Sequence, residues 1–92
     1  MYVIIMEEKS RNRELRKRYR ELAGMLKEKK KGTITTLDKI LGRFSMQEGI
    51  KFTRAKEYLD LFERVGLIKL TSGRKRWEYN PDAEWELFRV NI

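Results

Sequence analysis

The sequence predicts an α+β domain that is mainly helical, with three helices, a β-hairpin, an additional N-terminal strand and a short C-terminal element. Three observations point there. Apolar residues recur at helical spacing in three segments, Leu15–Leu26, Leu37–Phe44 and Phe52–Val65. Two β-favouring runs flank the pair Ser72-Gly73. The 92 residues contain no linker, repeat or low-complexity tract that would divide a single core. The chain therefore reads as one domain over 1–92, with its core in 11–80, a strand in 1–9 and an extension in 81–92.

From the N-terminus, Tyr2-Val3-Ile4-Ile5-Met6 is β-branched and aromatic, which predicts a short strand. It is also the longest apolar run, far below the roughly 20 residues of a membrane span, and it lacks the basic start and cleavage site of a secretory signal. A long helix follows from about Ser10 to Lys30, with Ser10 as its cap. Leu15, Tyr19, Leu22 and Leu26 form one narrow apolar stripe along it. Arg13, Arg16, Lys17, Arg20 and Lys27 share a polar face, edged by Glu14, Glu21 and Glu28. Gly24 costs this helix about 1 kcal/mol relative to Ala, and Gly32 is placed to stop it.

Thr33-Ile34-Thr35 is a three-residue β-favouring stretch. Thr35 or Thr36 then caps a second helix, with Asp38 completing a capping box from Thr35. Leu37, Ile40, Leu41 and Phe44 give it the clearest amphipathic spacing in the chain. Ser45 to Lys51 reads as a turn. A third helix runs from about Thr53 to Val65, turns Phe52, Ala55, Leu59, Phe62 and Val65 inward, and ends at Gly66. Leu67–Thr71 and Lys75–Tyr79 form the hairpin, with Trp77 and Tyr79 covering the core side of its sheet. Asn80-Pro81-Asp82-Ala83-Glu84 carries helix-start signals. Leu87–Ile92 leans towards strand by propensity, and a short helix is the favoured reading of the tail.

Lys and Arg total 22 against 14 Asp and Glu, a net charge of +8. Arg11 to Lys31 alone holds ten basic residues against three glutamates, whereas residues 77–92 are acidic. So basic a small protein points to a polyanionic partner. The absence of cysteine excludes a disulfide framework, a thiolate nucleophile and sulfur-ligated zinc, and the absence of histidine removes the commonest general base and metal ligand. Lys29-Lys30-Lys31-Gly32-Thr33 lacks the preceding glycine and strand of a phosphate loop. Ser10, Ser45 and Ser72 have no histidine to activate them. Glu57, Asp60 and Glu63 share one helix and form no opposed carboxylate pair. No catalytic reading, cofactor or metal site emerges.

The stretch Gly49-Ile50-Lys51-Phe52-Thr53-Arg54-Ala55, through Tyr58-Leu59-Asp60-Leu61-Phe62 to Val65-Gly66-Leu67-Ile68, resembles winged helix-turn-helix sequences. It shares with them a small apolar residue early in the third helix, then a Leu and a large apolar residue, and a Gly-Leu-Ile opening the first wing strand. The resemblance covers about residues 11–80 and is nearest to small archaeal or archaeal-virus members. It implies a third helix that enters the major groove of DNA and a wing that reaches an adjacent groove or the backbone.

The residues themselves support that expectation. Thr53, Arg54, Glu57, Asp60 and Arg64 fall on the outward face of the third helix. Arg54 can fork onto a guanine and Glu57 can accept from a cytosine amino group, whereas Asp60 would meet phosphates unfavourably. Arg74, Lys75 and Arg76 put three consecutive cations at the wing tip. Arg13, Arg16, Lys17 and Arg20 are placed to hold flanking phosphates. The long first helix predicts a homodimer seam along Leu15, Tyr19, Leu22 and Leu26. The expectation is a cytoplasmic, nucleoid-associated, dimeric transcriptional regulator on double-stranded DNA, with no role at a membrane. Its rivals are an adaptor for a polymerase or transcription complex, docked through Trp85, Leu87 and Phe88, and a sequence-nonspecific architectural protein.

Overall fold

The structure is a computed structural model that describes residues 2–71 and 73–85, with side chains from Arg13 onward. Its elements run α1 (Tyr2–Lys29), β1 (Lys31–Thr33), α2 (Ile34–Glu48), α3 (Phe52–Val65), β2 (Ile68–Thr71) and β3 (Arg76–Tyr79), followed by a 3-10 turn at Pro81–Ala83. The fold is thus mainly helical, with one three-stranded antiparallel sheet in the order β1-β3-β2. At about 1.5 Å per residue, the 28 residues of α1 span roughly 42 Å. They account for most of the 50 Å long axis of the molecule.

The predicted N-terminal strand is not formed. Tyr2–Met6 is the first part of α1, and Ser10 lies inside that helix rather than capping it. A lone strand needs a ladder partner for its backbone groups, whereas an extended α1 satisfies them locally, so continuity outweighs β propensity. The far end of α1 also differs from expectation. Lys30, not Gly32, takes the left-handed conformation after the last turn (φ 75°), and its N–H donates to Leu26 O at 2.8 Å. Gly32 is in β1.

Strand β1 is therefore shifted two residues earlier than predicted, and α2 begins at Ile34. The cap of α2 is Thr33, whose hydroxyl accepts from Thr36 N at 3.3 Å. Thr35 and Thr36 lie within the first turn. Helix α2 runs on through Ser45 to Glu48 and ends at Gly49, left-handed at φ 66°. The short turn is tied twice: Ile50 N donates to Ser45 O at 3.0 Å, and the buried Ser45 hydroxyl donates to Ile50 O.

One core joins the three helices and the hairpin: Leu22 and Leu26 from α1, Leu37, Leu41 and Phe44 from α2, Ala55, Tyr58 and Phe62 from α3, and Leu67, Ile68, Trp77 and Tyr79 from the hairpin side. The inward face of α3 is rotated from the predicted one. Tyr58 is buried, Leu59 and Val65 only half-buried, and Phe52 is 38% exposed. The Tyr58 ring packs edge-on to Tyr19 (5.1 Å between centroids) and Phe44 (6.0 Å), while its hydroxyl accepts from Arg18 at 3.4 Å. A phenol meets both demands of this site, apolar on its faces and polar at its tip, where leucine would meet one.

Each hairpin strand starts one residue later than the sequence suggested, around a turn in which Gly73 (φ 66°) and Arg74 (φ 67°) are left-handed. Trp77 and Tyr79 face the core as expected. Asn80 caps the 3-10 turn, its side chain accepting from Asp82 N at 3.3 Å, and it also donates to Gly66 O at 3.1 Å. The expected helix start in the tail is thus present at Pro81, and the reading of Leu87–Ile92 lies outside the described residues.

Candidate nucleic-acid interface

Helix α3 keeps one side clear of the core. Thr53, Arg54, Lys56, Glu57, Asp60 and Arg64 are all exposed, so each residue expected on the outward face is there. Lys56, whose place on this face no motif marks, stands beside the Phe52 ring at 5.7 Å. Arg54 is not a loose cation. Its Nη1 is 2.7 Å from Glu57 Oε2, and its guanidinium carbon lies 5.3 Å from the centre of the Tyr58 ring. The hydrogen bond to Glu57, then the neighbouring Tyr58, raise the Arg54 pKa above its ordinary value. Arg54 and Glu57, predicted to read separate bases, are thus one paired unit at the start of the helix. Counted over Phe52–Val65, Arg54, Lys56 and Arg64 are balanced by Glu57, Asp60 and Glu63, so α3 carries no net charge.

The hairpin turn stands next to α3. Arg74 Nη1 is 3.5 Å from Glu63 Oε1 near the C-terminal end of that helix. Lys75 and Arg76 are exposed and, unlike Arg74, form no ion pair within 4.0 Å among the described residues. The three cations at the hairpin turn therefore divide: Arg74 pins the turn, and Lys75 and Arg76 project. Ser72 lies outside the described residues.

On α1, Arg13, Arg16, Lys17 and Arg20 are exposed and, with Glu21, line one shallow polar concavity. Arg18 sits apart from them, half-buried, and bridges Glu14 at 3.4 Å and Glu48 at 4.0 Å. Glu14 and Arg18 stand four residues apart, the spacing at which such pairs meet on a helix. Lys17 and Glu21 share that spacing without pairing, and Glu21 accepts from Gln47 at 3.2 Å.

The predicted dimer seam is overturned in its main part. Leu22 and Leu26 are 0% exposed and belong to the core of their own chain, and Leu15 and Tyr19 pack against that core. The stripe is consumed because α2 packs along α1 and the α3 rings of Tyr58 and Phe62 meet Tyr19 edge-on. Burial among these rings also raises the Tyr19 hydroxyl pKa.

The sheet brings together residues that the sequence did not associate. Register pairs Lys31 with Glu78 and Glu78 with Lys69, and it pairs Thr33 with Arg76 and Arg76 with Thr71. All six are exposed on the face away from the core. Period-two alternation in β3 was legible, but Lys31 and Lys69 become neighbours of Glu78 only through pairing.

Among the described residues, no group of three or more acidic, cysteine or histidine side chains is arranged to hold a metal, and no helix is long and apolar enough to cross a membrane. No family model, curated protein or solved structure matches the chain.

Proposed function

We propose that the chain is a winged helix-turn-helix protein that binds double-stranded DNA, acting as a homodimeric transcriptional regulator. The observation that carries the reading is the adjacency of two exposed features: the outer side of α3 and a hairpin turn whose Arg74 reaches Glu63. A duplex can touch both at once, α3 with Thr53 and the Arg54–Glu57 pair, the hairpin with Lys75 and Arg76. The element order α1-β1-α2-α3-β2-β3 supports the same reading, as does the net charge of +8. Arg13, Arg16, Lys17 and Arg20 add a cationic helix face for flanking phosphates.

Selection from a random duplex library, with sizing of the bound complex, tests this. A palindromic consensus bound by two chains is the expected result. Binding without any consensus overturns the regulator and leaves an architectural role.

A second reading, as an adaptor in a polymerase or transcription complex, is favoured by two observations. Helix α3 has no net charge, and Met46 (86% exposed) and Phe52 lie at either side of the α2–α3 turn. A stable complex with a polymerase beside negligible affinity for free duplex would establish it in place of the first.

A further inference from the structure

The outer face of the sheet carries two lysines that the proposed duplex contact leaves unused. Lys31, Glu78 and Lys69 form one cross-strand row, and Thr33, Arg76 and Thr71 form the next. With strands about 4.8 Å apart, Lys31 and Lys69 are backbone positions roughly 10 Å apart, and Arg76 lies on the middle strand about 7 Å further along. One carboxylate thus faces three cations. Neither lysine comes within 4.0 Å of Glu78 or of any other described carboxylate. Lysines on edge strands also discourage edge pairing, but that task puts no demand on the middle strand, where Arg76 adds a third charge. Cationic donors on a flat surface suit a sugar–phosphate backbone.

This face and the outer side of α3 both turn away from the core that they share. Trp77 and Tyr79 on the other side of the sheet, and Ala55, Tyr58 and Phe62 on the other side of α3, are buried in that core. The charge balance differs between them. Helix α3 is neutral, whereas the sheet face has a surplus of two cations.

We propose that the outer face of the sheet, through Lys31 and Lys69, holds the phosphate backbone of a second duplex segment, so that the protein bridges two stretches of DNA. The inference rests on the duplex-binding reading above and adds to it a second site. Lys31→Ala/Lys69→Ala tests it, since both residues are exposed and neither belongs to the α3–wing contact. Two measurements are needed: affinity for a single short duplex, and capture of a fluorescent duplex by protein bound to a bead-immobilised one. The variant is expected to keep wild-type affinity for the single duplex and to lose second-duplex capture by about tenfold at moderate salt. Undiminished capture overturns the proposal. So does a parallel loss in both measurements, which would assign the lysines to the same duplex as α3. Wild-type protein that binds one duplex but captures no second overturns the sheet site alone; wild-type protein that binds none overturns the duplex-binding reading itself.

Discussion

A methyl group at Gly32 would lie 3.1 Å from Trp77 Nε1 and 3.2 Å from Thr36 Cβ, tighter than ordinary contact. Neither neighbour can retreat easily, because Trp77 is held in the core and Thr36 in the first turn of α2. Gly32→Ala is expected to destabilise the fold by about 1–3 kcal/mol. Gly24 gives the opposite expectation. It lies exposed in α1, and a methyl group there would meet nothing within 4 Å, so Gly24→Ala stabilises by roughly 0.5–1 kcal/mol. Urea unfolding of both variants checks the pair, and equal effects would refute the packing argument. On the proposed duplex-binding reading, Arg54 is the residue on which sequence preference turns. Arg54→Ala is expected to cost about 1–3 kcal/mol on a preferred site and far less on random duplex. An equal loss on both would make Arg54 a phosphate contact. The sequence marked Arg54 and Glu57 as exposed polar residues, but their pairing was not legible, because a three-residue spacing is compatible with contact without requiring it.

At the scale of elements, the caps and the tail carry testable weight. Thr33→Ala removes the side chain that accepts from Thr36 N and is expected to cost about 1 kcal/mol, measured by thermal or urea unfolding. Glu84 ties the 3-10 turn to two elements at once, with Lys27 Nζ at 3.0 Å and the Tyr79 hydroxyl at 2.9 Å. The hydrogen bond from Lys27, then that from Tyr79, lower the Glu84 pKa. Burial and the same carboxylate hold the Tyr79 hydroxyl well above its usual range. A carboxyl more acidic in the folded chain than in the unfolded one stabilises the fold fully above the ordinary glutamate range near pH 4.3, and this is lost as pH falls through its folded value. Unfolding midpoints measured from pH 6 to pH 3 should therefore fall less steeply for Glu84→Gln than for the wild type. Helix faces of α2 and the hairpin pairing were readable from period alone. The fate of Tyr2–Met6 was not, because β propensity describes a residue that already has a strand partner, and this segment has none in the sheet.

Over the whole molecule, charge is distributed so that α3 is neutral while its surroundings are basic. Binding dominated by those surroundings is strongly salt-dependent and weakly selective. Replacing Arg74, Lys75 and Arg76 together with Ala should weaken binding to every duplex and flatten the plot of log affinity against log salt by about 2. The change falls short of three full contacts because Arg74 is already engaged by Glu63. Unchanged affinity and slope would remove the hairpin from the interface.

The sequence by itself determined the helical class, the inward stripe of α2, the buried side of β3 and the net charge, all of which follow from residue identity and local period. Only the tertiary structure decided that Leu22 and Leu26 are spent inside their own chain, that Tyr58 displaces Phe52 from the core, and that Lys31 and Lys69 flank Glu78. Those outcomes depend on which distant segments meet. An apolar stripe or a lysine has the same spacing whether it faces its own chain, a partner or water.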